Sequence, residues 1–202
     1  MSDNPLPAEP VVVSRYDPDW PARAATELAA LRAALGPVVV AADHIGSTSI
    51  PGMAAKDILD LQLSVADLAA ADAFRGPLGR LGYVRRPSEY EYEYDHVPAG
   101  EQTDPGLWTK RFWSRRDHPA GDANLHVRRT GSPNERLALL FRDWLRAHPL
   151  AIAGYSQFKL ELARSVTDLE RYTDIKDPVV DVIVAAAAQW AADTGWRPHQ
   201  PG

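Results

Sequence analysis

His44-Ile45-Gly46-Ser47-Thr48-Ser49-Ile50-Pro51-Gly52-Met53-Ala54-Ala55-Lys56-Asp57-Ile58-Leu59-Asp60-Leu61-Gln62 joins a small-residue turn to a carboxylate-bearing strand, and this junction decides the fold. The apolar run Val38 to Ala42 ahead of it predicts a strand. Gly46, followed by hydroxyl residues, predicts a turn whose backbone N–H groups converge on phosphate oxygens. The hydroxyls of Ser47, Thr48 and Ser49 add donors. Beyond the turn, Ile58 to Val65 has period two, which puts Leu59, Leu61 and Leu63 on one face and Ile58, Asp60 and Gln62 on the other. Magnesium held against a triphosphate keeps only one or two protein carboxylates, and Asp60 is the candidate here, with Gln62 as a neutral neighbour. By parity Asp57 belongs to the leucine face and is expected in solvent at the strand's start.

Composition narrows the class. With 202 residues, 45% hydrophobic and 24% charged, the chain fits one compact domain, or a domain with a helical appendage. A net charge of −5 and scattered basic residues disfavour a long nucleic-acid partner. A small anionic ligand remains compatible, because a local pocket can be positive on an acidic protein. The absence of cysteine excludes disulfides and thiolate metal sites and fits a reducing, cytoplasmic setting. Met1 to Pro7 has neither the basic nor the apolar region of a signal peptide, and no run is long and apolar enough to span a bilayer.

Working outward, residues 1–10 and 197–202 read as polar, Pro-rich tails, 11–131 as the α/β core, and 132–196 as C-terminal helices packed on it. The first helix is expected after Asp17, with Trp20, Ala24, Leu28, Leu31 and Leu35 as its core stripe. Asp67 to Leu81 predicts a helix that Gly76-Pro77 kinks. Tyr83–Arg85, Glu89–Val97, Lys110–Ser114 and Ala123–Arg129 read as antiparallel strands, and the loop from Pro98 to Trp108 as a lid. Ser132-Pro133-Asn134-Glu135 has the form of a capping box. The helix it opens ends at His148-Pro149, and helices over Leu150–Val166 and Ile175–Thr194 follow. The fold class is therefore α/β: a mixed sheet of about five strands with flanking helices and a C-terminal helical bundle.

Several further residues carry candidate chemistry. Asn124, His126 and Arg128 share a strand face. His126 is either a base that prepares an acceptor hydroxyl, since its ordinary pKa is near neutrality, or a structural histidine. Arg128 serves a phosphate or a surface ion pair. Glu91, Glu93 and Asp95 alternate with tyrosines as an acidic face that is either solvated or lines the pocket, where Glu93 would replace the carboxylate that Gln62 lacks. Lys56 and Lys110-Arg111 either offset phosphate charge or lie at the surface. Tyr155 and Lys159, one turn apart, either contact a ligand or form a core tyrosine beside a solvated lysine. No histidine pair has zinc spacing, and no Gly-x-Ser-x-Gly elbow occurs, so Ser47 reads as a phosphate donor.

The Gly46-Ser47 turn, the twelve residues between Ser47 and Asp60, and the Asp-bearing strand resemble the signature of the nucleotidyltransferase superfamily. More narrowly, four segments resemble the GrpB family along nearly the whole chain: Tyr16–Pro21, His44–Lys56, Leu125-His126-Val127 and Phe141–Arg146. The resemblance implies a nucleotidyltransferase-like fold and nucleotide binding with Mg²⁺. It also implies a relationship to dephospho-CoA kinase, behind which such a domain is fused in some bacteria. Gly46, Ser47, Thr48, Lys56 and Arg128 would hold the nucleotide, Asp60 and Gln62 the metal, and Asp60, His126 and Glu93 would perform nucleotidyl transfer to a hydroxyl. This chain departs from the superfamily pattern at Gln62, where a second acid is usual, and from the family pattern at Asp57, where proline is usual. Gln62 favours the alternative of a non-catalytic nucleotide- or CoA-type binding module, or one that assists a partner such as dephospho-CoA kinase. No Gly-x-x-x-x-Gly-Lys-Ser/Thr loop is present, so no kinase half is read here.

Overall fold

The computed structural model describes residues 11–86, 94–98, 100–101 and 104–199. Helix α1 spans Trp20–Leu35. It starts two residues later than the sequence suggests, because the Asp17 carboxylate accepts from the Asp19 backbone N–H at 2.8 Å and forms a turn ahead of the helix. Gly36 ends it at φ +69°, a conformation that only glycine adopts without strain.

Strands β1 (Val39–Ile45), β2 (Ile58–Val65), β3 (Val84–Arg85), β4 (Lys110–Arg115) and β5 (Asp122–Arg129) form one sheet in the order β1-β2-β5-β4-β3. The β2–β5 pair is parallel and the other pairs are antiparallel, which gives the expected mixed sheet. Between β2 and β3 the helix expected over 67–81 splits into a 3-10 segment, Leu68–Phe74, and a short α2, Arg75–Arg80. Pro77 accounts for the split, since it lacks an N–H and is tolerated only in a helix's first turn, where it stands in α2. Of the strand expected over 89–97, residues up to 93 lie outside the described residues, and Tyr94 bridges Thr109. The expected lid ends in the fully buried Trp108, whose carbonyl accepts from Asn134.

The leucine face of β2 is core as parity requires. Leu59, Leu61 and Leu63 pack with Leu125, Val127 and Trp113 against Trp20 and Leu31 of α1 and Leu78 of α2. Each large apolar side chain buried this way contributes roughly 1.5–3 kcal/mol. The same side of the sheet buries an ion pair, with Arg115 donating to both Glu27 oxygens at 2.8 Å and the Tyr83 hydroxyl donating to Glu27 at 2.9 Å. Burial first, and then the Glu27 charge, push the Tyr83 phenol well above its ordinary pKa.

Helices α3 (Pro133–Ala147), α4 (Pro149–Ser165) and α5 (Leu169–Thr194) cover the other face. The capping box ahead of α3 is displaced by one residue, since Glu135 accepts from the N–H of Gly131 rather than Ser132. Helix α5 starts six residues before the expected Ile175, because the Asp168 carboxylate caps the N–H of Glu170. No helix among the described residues is long and apolar enough to cross a membrane. At the C-terminal end of the described chain, the His199 ring meets Asp43 at 2.9 Å.

Candidate functional site

The polar face of the sheet carries Asp60 and Gln62 on β2, Asn124, His126 and Arg128 on β5, and Lys110 and Phe112 on β4. The parallel register sets Asp60 beside Asn124 and Gln62 beside His126. Between this face and helices α3 to α5 lies a cleft of about 700 Å³, within the range of small-molecule sites. Gly46, Ser47, Lys56 and Asp60 line one wall, and Tyr155 and Lys159 stand on the opposite, helical wall. Phe141 and Val180 give the cleft an apolar stretch.

The turn at the centre of the site is held from three directions. Gly46 adopts φ +67°, and the Ser49 N–H and hydroxyl both donate to its carbonyl, at 3.2 and 2.6 Å. A Cβ at Gly46 would lie 2.4 Å from Asp60 Oδ2, so only glycine lets the turn close against that carboxylate. The Arg146 guanidinium donates to the Ser49 carbonyl, and the Ser156 hydroxyl of α4 accepts from the Ala54 N–H at 3.0 Å. Ile50 and Met53 are buried among Leu145, Tyr155 and Ile183, which fixes the connector under the helices.

Of the three hydroxyls in the turn, two are committed to structure. Thr48 bonds the His44 ring at 2.9 Å, and Ser49 closes the turn. Ser47 meets Lys159 Nζ at 2.8 Å. Lys159 is 2% exposed, so it is not the solvated lysine that its sequence position suggests. Burial, reinforced by Lys176 and Lys56 against Asp60, brings its pKa down to about 7. Its ammonium also stands 4.7 Å from the centre of the Tyr155 ring, and the Lys56 ammonium 5.9 Å from that of Tyr172. Burial likewise lowers the Lys56 pKa, while Asp60 opposes the shift.

Asp60 Oδ1 accepts from Asn124 at 2.8 Å and lies 4.0 Å from His126 Nε2. Burial alone would raise its carboxyl; His126, Asn124 and Lys56 outweigh burial and hold it below the usual range. The His126 pKa falls to about 4, through burial first and Arg128 second, so its ring is neutral near pH 7. Burial, with Arg146 and Arg142 against the opposing Asp60, lowers the His44 pKa to about 4 as well.

Two expected ligands are held by neighbouring side chains. Gln62 is fully buried, its carbonyl oxygen accepts from Arg128, and it does not line the cleft. Arg128 lines the cleft and also donates to both Asp95 oxygens, at 2.8 and 3.0 Å, sharing that carboxylate with Lys110. Lys110 and Asn134 complete the shell around Asp95, and the two cations hold its carboxyl far below the ordinary carboxylate range despite burial. Of the acidic face, Asp95 is therefore an acid that turns into the site, while Glu91 and Glu93 lie outside the described residues. Asp57, at the strand's start, is exposed as expected but accepts from Trp20 Nε1 and Arg23, both at 2.8 Å.

Among the described residues no three His, Asp or Glu side chains converge as a metal centre requires. Asp60 is one carboxylate where a two-metal site needs several, and the Asp95 oxygens are bonded to cations and an amide. These residues do not fit a two-metal magnesium centre.

Comparison with known proteins places the chain. The family model described as GrpB protein matches residues 10–186. A protein named dephospho-CoA kinase in Mycolicibacterium paratuberculosis is 37% identical over 98% of this chain and 51% of its own length. The chain thus spans about half the length of that relative. A UPF0157 protein of Halalkalibacterium halodurans is 32% identical over 88% of this chain and 82% of its own. The crystal structure of the conserved protein GrpB from Enterococcus faecalis is similar with a TM-score of 0.70 at 27% identity, over 88% of this chain and 98% of that one. A family model that runs through the turn, the cleft and most of the helical cover leaves one conclusion: this chain belongs to the GrpB family.

Proposed function

We propose that the cleft binds the phosphate end of a nucleotide, with Ser47 and Lys159 as its central contact. One observation carries the reading: a buried lysine from α4 reaches the Gly46-Ser47 turn across a cleft that also holds Asp60. A turn that presents N–H groups, a hydroxyl and an ammonium suits phosphate oxygens. Lys56 supplies a second cation, and the apolar stretch at Phe141 and Val180 suits the base. The relatives named dephospho-CoA kinase make an adenosine diphosphate moiety, as in dephospho-CoA, a candidate ligand, and such a kinase a candidate partner. In this reading the chain is a ligand-binding module.

The enzymatic reading, nucleotidyl transfer to a hydroxyl, is favoured by the neutral His126 beside Asp60 on the sheet wall. In it Gly46 and Ser47 orient the phosphates, Lys56 offsets charge, and His126 accepts the acceptor's proton. Glu93 would join Asp60 as a second acid. Among the described residues, the Mg²⁺ expected from the sequence would rest on Asp60. Arg128 and Gln62 serve both readings by fixing Asp95 and the sheet face.

Titration of the chain with ATP, GTP, CTP and dephospho-CoA, paired with a pyrophosphate-release assay, tests both readings. Binding without pyrophosphate release supports the module. Release that disappears in Asp60→Asn supports the enzyme. If none of the four ligands binds, the nucleotide reading is wrong.

A further inference from the structure

We infer that the cleft takes its phosphate ligand free of divalent metal, with the Lys56 and Lys159 ammonium groups standing where a metal-dependent site would have its cation. The inference rests on the nucleotide reading above and adds the ionic form of the ligand, an uncomplexed di- or triphosphate anion.

The oxygens that face the site are the first ground. A magnesium ion requires near-octahedral oxygen ligation and usually draws one or two carboxylates from the protein. Asp60 Oδ1 is bonded to Asn124, and Oδ2 lies against the Gly46 backbone. Asp95 gives one oxygen to Lys110 and Arg128 and the other to Arg128 and Asn134. Gln62 gives its carbonyl to Arg128. To recruit a second protein oxygen from this set, a metal would have to break a charge-assisted bond.

The cations are the second ground. Asp95 answers two positive groups, Lys110 and Arg128, so that cluster keeps a surplus positive charge. Asp60 faces both Lys56 and Lys159, and Lys176 is tied to Asp177 at the cleft wall. A dication entering here meets like charge at short range in a partly desolvated space, whereas a polyphosphate meets opposite charge. Each lysine ammonium has three donors and serves phosphate as a point charge. Metal complexation removes two negative charges from the nucleotide, so it reduces what the lysines bind.

Calorimetric titration of the full chain with ADP at pH 6, where Lys159 as well as Lys56 carries its proton, once with excess EDTA and once with excess Mg²⁺, decides the matter. We expect binding in EDTA at least as tight as in Mg²⁺. In EDTA, Lys56→Met and Lys159→Met should each weaken it about tenfold or more, the loss of one charge-assisted contact, while Lys159→Arg keeps most of it. The wild-type comparison stands even if a lysine variant fails to fold. Binding that appears only with Mg²⁺ overturns the inference and leaves the nucleotide reading in place. No binding in either buffer overturns both.

Discussion

At the scale of single residues, the site is built from groups held away from their ordinary protonation. Unfolded histidine takes up its proton near pH 6.5, whereas His44 and His126 in the fold do so near 4. Between those values the unfolded chain binds more protons, so stability falls as pH drops from 6.5 towards 4, by up to about 3 kcal/mol for each ring. Urea denaturation midpoints at pH 7 and 4.5 read this directly, and His126→Gln should flatten the slope. Lys159 acts in the same sense over a higher window. Its folded pKa near 7 lies below the ordinary 10.5, so its cost to the fold is full below 7 and fades as pH rises towards 10.5. Lys159→Met should therefore stabilise the chain by about 1–2 kcal/mol at pH 7, with the gain shrinking by pH 10, while ligand binding weakens about tenfold or more. Gly46→Ala combines an unfavourable φ with a Cβ 2.4 Å from Asp60 Oδ2. We expect it to cost on the order of 1–3 kcal/mol in thermal or chemical denaturation and to abolish ligand binding.

At the scale of elements, the two faces of the sheet do separate work. The Glu27–Arg115 pair and Tyr83 lie on the core face, away from the cleft. Removing one partner leaves a buried charge unmatched, so Glu27→Ala should cost about 3–5 kcal/mol and leave the affinity of the folded protein for nucleotide unchanged. A shift in affinity as large as the shift in stability would contradict this division. Period-two patterning makes the faces of β2 and β5 legible in the sequence alone, since Leu61 and Asp60 differ by one position and therefore by a face. Helix starts are less legible. Asp17, Asp168 and Ser132 all resemble caps, and only the local bonds decide the outcome: the two carboxylates accept from the N–H groups of Asp19 and Glu170, while the Ser132 hydroxyl donates to the Arg129 carbonyl and to Asn134. Lys159 is legible only as one of two alternatives, a ligand contact or a solvated lysine, and the place of Asp95 in the cleft is not legible at all. Their positions are fixed by contacts with residues 112 and 33 positions away, Ser47 and Arg128, which no local spacing encodes.

At the scale of the whole molecule, the C-terminal helices are part of the site rather than an appendage to it. They supply Lys159 to the turn, Arg146 and Ser156 to brace it, and Tyr155 and Ile183 to bury its connector. A ligand that bridges the sheet and these helices binds only the assembled fold, so it should stabilise the whole chain. At a hundredfold excess over Kd the gain is about 2.7 kcal/mol, visible as a concentration-dependent rise in Tm. The most direct measurement is a crystal structure of the chain grown with ADP. The account predicts the diphosphate within hydrogen-bond distance of both the Ser47 hydroxyl and Lys159 Nζ, with the adenosine directed towards Phe141 and Val180. A nucleotide bound outside the cleft, or a cleft left to water at saturating ADP, would contradict it.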